Sequence, residues 1–230
     1  MISVCLATYN GEKYVKEQIE SILSQLSAND EVIVSDDHSK DNTITIINSL
    51  QDKRIKIVMN NKQSGVAHNF ENALLHATGD FIFLADQDDI WAENKIKIVV
   101  EQLEKYDCAL HNAQLIDYQG GKIDKDLFSI YNTRTGYFQN LIRNTFVGCC
   151  MAFRKELLKH VLPIPSQITM HDMWIALLAE KKGNTILIED KLIYYRRHEN
   201  NASTTSNKSK FSKYYQLKYR LVMLYHTILR

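Results

Sequence analysis

Three carboxylates, Asp86, Asp88 and Asp89, crowd into four positions directly after the apolar run Phe81 to Ala85. Mutual repulsion makes such a cluster costly unless a cation or several donors neutralise it. Oxygen ligands suit Mn2+ or Mg2+, ions commonly held by one or two carboxylates together with substrate phosphates. Helix capping is the competing reading, since Asp88 or Asp89 could cap a helix that starts near Trp91. Capping accounts for one acid, not three. An EF-hand is excluded by spacing, for it needs a Gly at its sixth position and a terminal bidentate Glu.

Two further polar segments also follow apolar runs. Asp36 and Asp37 come after Glu31 to Ser35, and Thr8-Tyr9-Asn10-Gly11 comes after Ile2 to Ala7. Asp36 and Asp37 can accept hydrogen bonds from a base imino group or from ribose hydroxyls; Thr8 and Tyr9 offer a hydroxyl and a stacking face. Ser39 or Asp41 reads better as a cap for the helix that follows. Neither G-x-G-x-x-G nor G-x-x-x-x-G-K-[ST] follows any strand, which argues against dinucleotide and P-loop binding and leaves the pyrophosphate to the cation.

The elements that must position these residues alternate. Val15, Ile19, Ile22, Leu23 and Leu26 recur at helical spacing after the first strand; Ile44, Ile47 and Leu50 do so after the second. Arg54 to Met59 reads as a third strand, Val66 to Ala77 as a third helix and Phe81 to Ala85 as a fourth strand. Such alternation predicts a parallel sheet covered on both faces, with ligands bound beyond the carboxyl ends of its strands. All three polar loops then meet at one edge. The second half is less regular: a hairpin across Cys108 to Tyr118 and its Gln119-Gly120-Gly121 turn, a strand over Phe146 to Phe153, and helices over Arg154 to Val161 and Met170 to Lys181. Residues 200 to 213 read as a polar loop. The expected boundaries are a domain over 1–204 and a basic amphipathic helix over 205–230.

The 230 residues, 45% of them hydrophobic, suffice for one substantial core. Lys+Arg 28 against Asp+Glu 27 gives a formal charge of +1, so no basic excess points to nucleic acid. Cys5, Cys108, Cys149 and Cys150 form no C-x-x-C pair and read as small reduced core residues. MISVCLATYNG reads as a strand rather than a signal peptide, and no run reaches the roughly 18 apolar residues of a membrane span. The expected location is cytoplasmic, peripheral on the inner face of the plasma membrane. Without a secretory signal the N-x-S sequons at Asn201 and Asn207 have no route to glycosylation.

ISVCLATYNGEKY, VSDDHSKDNT, GVAHNFENAL, GDFIFLADQDDIW, VGCCMAFRKEL, HDMW and YYRRHENNAS, in this order over roughly residues 1 to 204, resemble the inverting family 2 glycosyltransferases. The resemblance implies a GT-A fold: a Rossmann-like, mostly parallel α/β sheet flanked by helices, with a smaller acceptor-binding half and a C-terminal helix. It is nearest in flavour to the rhamnosyltransferase-like enzymes of bacterial surface polysaccharide synthesis. By that resemblance Thr8, Tyr9, Asp36 and Asp37 line the base and ribose pocket. Asp86 and Asp88 match the D-x-D motif, the first acid on the ribose or sugar and the second on the metal, with Asp89 in support. The Gly148 to Met151 segment matches the acceptor floor and Asp172 the general base; His198 is similar to a histidine that joins the metal or diphosphate. Two departures stand out: His171 replaces the usual acid before the base, and the Q-x-x-R-W motif of processive enzymes is missing. A single transfer is therefore expected.

The implied reaction is attack by an acceptor hydroxyl on the anomeric carbon of a nucleoside-diphosphate sugar, with Mn2+ or Mg2+ steadying the leaving group. Arg196, Arg197 or His198 would add positive charge there, and we assign Arg197 to the donor. The acceptor is a sugar or a lipid-linked sugar. The tyrosine-rich tail, with Lys208, Lys210, Lys213, Lys218 and Arg220, suits an anionic membrane surface through 208–230, packing on the domain, or a homodimer. The rival functions are a nucleotidyltransferase, which needs a basic Gly-rich first loop, and a non-catalytic sugar-nucleotide binding module.

Overall fold

Strands buried on both faces read as continuous apolar runs, as the first, second and fourth do, while the third lies at the sheet edge and carries exposed Lys56. In the computed structural model, which describes residues 1–199 and 212–230, these four are β1 (Ile2–Thr8), β2 (Glu31–Asp36), β3 (Ile55–Met59) and β4 (Phe81–Asp86). They pair in parallel in the order β3-β2-β1-β4. The connecting helices are α1 (Val15–Leu23), α2 (Thr43–Ser49) and α3 (Val66–His76). Thr8 lies opposite Asp36, and Ala7 opposite Asp86, so the three polar loops leave the sheet level with one another. Val4, Cys5, Leu6, Ile33 and Leu84 are fully buried beneath them.

The second half comprises β5 (Ile90–Trp91), α4 (Lys95–Leu103), β6 (Cys108–Ile116), β7 (Lys122–Asp126), α5 (Leu127–Tyr131), α6 (Tyr137–Ile142), β8 (Met151–Arg154), α7 (Leu158–Val161), α8 (His171–Lys182), β9 (Thr185–Arg196) and α9 (Lys213–Ile228). The same sheet continues as β4-β8-β6-β9-β5, with β7 on β6. β8 runs antiparallel to both β4 and β6, while β6 and β9 are parallel. The expected fold class holds: a largely parallel first half, a smaller mixed half, flanking helices and a C-terminal helix.

Two local expectations are corrected. No helix starts near Trp91; Ile90 and Trp91 pair with Tyr194 and Ile193 of β9, and α4 begins only at Lys95, after Asn94 in the left-handed region. Neither Asp88 nor Asp89 caps a helix, because a pairing partner some hundred residues away claims the segment after them. The strand expected over Phe146 to Phe153 is shortened to β8, since Gly148–Cys150 forms a 3-10 turn.

Helix α9 buries Tyr219, Met223 and Thr227, one stripe at four-residue spacing, against α6 and α8. The Tyr219 hydroxyl accepts from Thr169 N at 3.0 Å and Met170 N at 2.9 Å; Lys181 Nζ donates to Thr227 O at 2.7 Å. Asn201, Asn207, Lys208, Lys210, Phe211 and most of the expected polar loop lie outside the described residues. Among the described residues no helix is long and apolar enough to cross a membrane.

Candidate active site

β4 ends at Asp86, and the chain turns through Gln87, Asp88 and Asp89 into β5. Asp88 Oδ2 lies 2.8 Å from His198 Nε2, just beyond β9, and the His198 ring stacks on Tyr14 at 5.1 Å. The two residues assigned to one cation thus meet from positions far apart in sequence. Asp86, Asp89 and Cys149 each offer one ligand atom, all within 4.8 Å of one another. Asp89 is buried; its Oδ1 accepts from Arg196 N at 3.0 Å, whereas its Oδ2 has no hydrogen-bond partner among the described residues.

Burial, then Asp88, then Asp172 push the Asp86 carboxyl up to about 7. Burial and the same crowding raise Asp89 well above the usual carboxylate range. A cation relieves this directly, because it rewards the charged forms that burial penalises. The orphaned Asp89 Oδ2 beside Asp86, and the Asp88 carboxylate against the His198 imidazole, are two neighbouring sets of donors of the kind that suit Mn2+ or Mg2+. Cys149 is the soft exception: a hydrogen bond with Cys150 and burial raise its thiol well above the ordinary value, so it stays a protonated neighbour.

Lys95 was not singled out by motif. It is buried, donates from Nζ to Cys149 O at 3.2 Å and lies 4.0 Å over the Trp91 ring. Burial lowers its ammonium to about 8, and its charge offsets part of the acidic field at Asp86. The sequence did hold a signal, because Lys95 falls on the apolar stripe that Ile96, Val99 and Leu103 bury in α4.

The first two loops supply the wall. Thr8 and Asp36, expected to line the base and ribose pocket, already partner each other: strand register sets them side by side, and Thr8 Oγ1 donates to Asp36 Oδ2 at 2.8 Å. Asp36 also accepts from Ser39 N and Ser39 Oγ and is fully buried. Asp37 accepts from Asn60 Nδ2 at 2.8 Å, Ser64 Oγ at 2.5 Å and Gly65 N at 2.9 Å. Burial opposes its ionisation, yet these donors hold its carboxyl below the usual range. Tyr9 keeps its ring half exposed at the rim, and its backbone N and O pair with the Gln87 side-chain amide at 2.9 and 3.0 Å.

Asp172 stands in the first turn of α8, where its Oδ1 accepts from Met173 N at 2.7 Å. Burial raises its carboxyl to about 6. His171 stacks on Phe70 with ring centroids 4.0 Å apart, and burial lowers its imidazole to about 3, so it is neutral. A Cβ at Gly148 would fall 2.8 Å from His171 Nε2 and 3.6 Å from Asp172 Cβ. With Phe70 behind the imidazole, Gly148→Ala must shift the His171 ring, next to Asp172 at the start of α8. Activity is expected to fall about 10- to 100-fold with the melting temperature little changed, because small misplacements of a reacting group are costly. Parallel activity assays and thermal melts check this; an unaltered rate would remove Gly148 from the site's geometry.

Arg196 and Arg197 diverge, as neighbours on an extended chain must. Arg196, buried, donates from Nε to Asp88 O at 2.9 Å and pairs with Glu17 at 2.6 Å, so it braces the acidic turn from below. Arg197 lies 5.9 Å over the Tyr195 ring. Tyr131 is raised by burial, lowered by Arg197 and raised by Asp172, so both charges reach the same phenol. Arg196, one of the three groups expected to add charge at the diphosphate, is instead engaged by Asp88 O and Glu17, and Glu17 and Gln87 were not assigned by sequence, because their roles depend on which segments the fold brings together.

A parallel half-sheet with acids beyond its carboxyl edge, closed by a mixed half that brings a histidine and a half-buried carboxylate, defines the GT-A class of sugar transferase. The chain matches the family model for Glycosyl transferase family 2 over residues 3–162, and it belongs to that family. It is 29% identical over 214 residues to WfgD of Escherichia coli, a UDP-Glc:alpha-D-GlcNAc-diphosphoundecaprenol beta-1,3-glucosyltransferase, covering 91% of this chain and 81% of that one. Its fold is similar to S. aureus TarS 1-349 in complex with UDP-GlcNAc, with TM-score 0.71 at 18% identity, covering 99% of this chain and 72% of TarS 1-349. It is also similar to the mannosyltransferase PcManGT from Pyrobaculum calidifontis in complex with GDP-Man and Mn2+, with TM-score 0.64 at 21% identity, covering 86% and 57% of the two chains.

Proposed function

We propose that this chain transfers a single sugar from a nucleoside-diphosphate sugar to a hydroxyl acceptor, with inversion and with Mn2+ or Mg2+ held at Asp88 and His198. The observation that carries the reading is the convergence of two acidic groups of different character. Asp88 is paired with His198, whereas Asp172 sits in a desolvated setting near enough to raise Asp86. A binding module has no use for a base held at about 6 beside the acidic turn, and a nucleotidyltransferase needs a basic loop after β1 that Thr8 to Gly11 does not provide.

The chain's own groups divide the work. Tyr9 and the Asp37 loop receive the base and ribose, Asp86 faces the ribose or sugar, and Arg197 adds positive charge toward the diphosphate. The cation, when bound, neutralises the charge that grows on the leaving diphosphate. Gly148 to Met151 floors the acceptor side. With Oδ1 of Asp172 occupied by Met173 N, Oδ2 takes the acceptor proton as attack develops. WfgD's lipid-diphosphate-linked acceptor suggests a similar acceptor class here, in cell-surface polysaccharide synthesis.

The experiment is a panel of UDP-, dTDP- and GDP-sugars, including dTDP-rhamnose, with and without Mn2+ or Mg2+, followed by release of the nucleoside diphosphate. Consumption of one donor, restored by metal after chelation, is the expected result. Tight donor binding without turnover under every metal condition would instead favour the binding module.

A further inference from the structure

The outward face of α9 carries Tyr214, Leu217, Leu221, Tyr225 and Ile228, all exposed and spaced three or four residues apart along one stripe. The opposite stripe is the buried one that fixes α9 to the domain. Phe138 and Ile142 of the adjoining α6 are also exposed, 70% and 63%, which extends the apolar face beyond a single helix. Lys213, Lys218 and Arg220 flank the stripe, and the sequence from Asn200 to Arg230 holds six Lys and Arg and no Asp or Glu. With the whole chain at only +1, the rest of the protein is net acidic, so the positive charge is concentrated here.

We infer that this face of α9 and α6 docks on an anionic bilayer surface. An interfacial helix has this composition: apolar and tyrosine side chains outward, cations at the margins, and an orientation fixed by the protein behind it. A second copy of the chain is a poorer occupant, because a helix pair through this face would bring one cationic margin near another, and α9 carries no acid to answer them. The placement also has a consequence for the site. Tyr219 holds Thr169 N and Met170 N, the residues immediately before His171 and Asp172, so the docked helix is bonded to the segment that carries the base. The surface role goes beyond the transferase reading and does not depend on it.

The test is flotation of the 230-residue chain with vesicles of phosphatidylcholine alone and vesicles that also contain phosphatidylglycerol, at low and high salt, without donor or acceptor. Binding is expected only with phosphatidylglycerol and should weaken with salt. Leu217→Ser with Leu221→Ser should lower the partition coefficient about 10-fold per leucine, with the melting temperature unchanged because both side chains are already exposed. Failure to bind anionic vesicles would overturn the inference, as would equal binding by the double variant. A dimer in sedimentation velocity that the double variant abolishes, without vesicle binding, would assign the face to a second copy.

Discussion

Asp172→Asn is expected to abolish transfer, with kcat down about 1,000-fold or more, while the protein becomes no less stable. The loss follows from removing the group proposed to take the acceptor proton; a positioned base contributes roughly 100- to 10,000-fold. The stability follows from the same desolvation. The carboxyl ionises near 3.8 when unconstrained and at about 6 in the fold, so its charge is harder to form in the native state. Its stability cost therefore develops as pH rises from about 4 to about 6 and persists above, on the order of 1–3 kcal/mol. Asparagine removes that cost and keeps an oxygen for Met173 N, so its melting temperature at pH 7 should equal or exceed the parent's by a few degrees. In the parent, the rate should rise with pH through a midpoint near 6, the point at which the base loses its proton. A variant that is inactive because it unfolds, or one that keeps most of its turnover, would remove Asp172 from the role.

Asp88→Asn carries the second large effect. It removes the charge that faces His198 without changing shape, and transfer should fall roughly 100- to 1,000-fold, the scale of losing one electrostatic stabiliser of the transition state. Chelation should reduce the parent to the same residual rate and should have no further effect on the variant. Mn2+ titrations of donor consumption read both at once: saturable activation in the parent and a flat response in Asp88→Asn. Full metal activation in the variant would place the cation elsewhere, with Asp86 and Asp89 the next residues to substitute.

Much of this was legible in the residue order for a simple reason. Parallel strands bury both faces, so Ile2 to Ala7, Glu31 to Ser35 and Phe81 to Ala85 announce themselves, and whatever polar residues follow must sit at one edge. Asp86, Asp88 and Asp89 could be placed that way before any coordinate was known. The competing helix cap could not be dismissed from sequence, because its rebuttal is the pairing of Ile90 and Trp91 with β9. Thr8 and Asp36 look like free ligand groups in a string; lateral register makes them each other's partners. Arg196 and Arg197 are indistinguishable by type, and only the direction of the chain as it leaves β9 sends one beneath the acidic turn and the other toward Tyr131. Lys95 shows the reverse case, a signal present in the helical period and passed over because no motif contained it.

Gln87, the residue between the two acids of the D-x-D motif, acts as a ruler. Its amide oxygen receives Tyr9 N and its amide nitrogen returns a hydrogen to Tyr9 O, so one side chain ties both backbone groups of Tyr9 just beyond the last β1–β4 pair. The width of the gap between the nucleotide-side loop and the acidic turn is thus measured out by one side chain. Asparagine would be a methylene short. Glutamate would turn an acceptor toward the Tyr9 carbonyl and add a fourth negative charge to a turn already crowded with three. The loop after β1 meets it at Gly11, where any Cβ would run into the Gln87 amide oxygen. Residues 9, 11 and 87 form one gauge, and a change at any of them resets the spacing for the others.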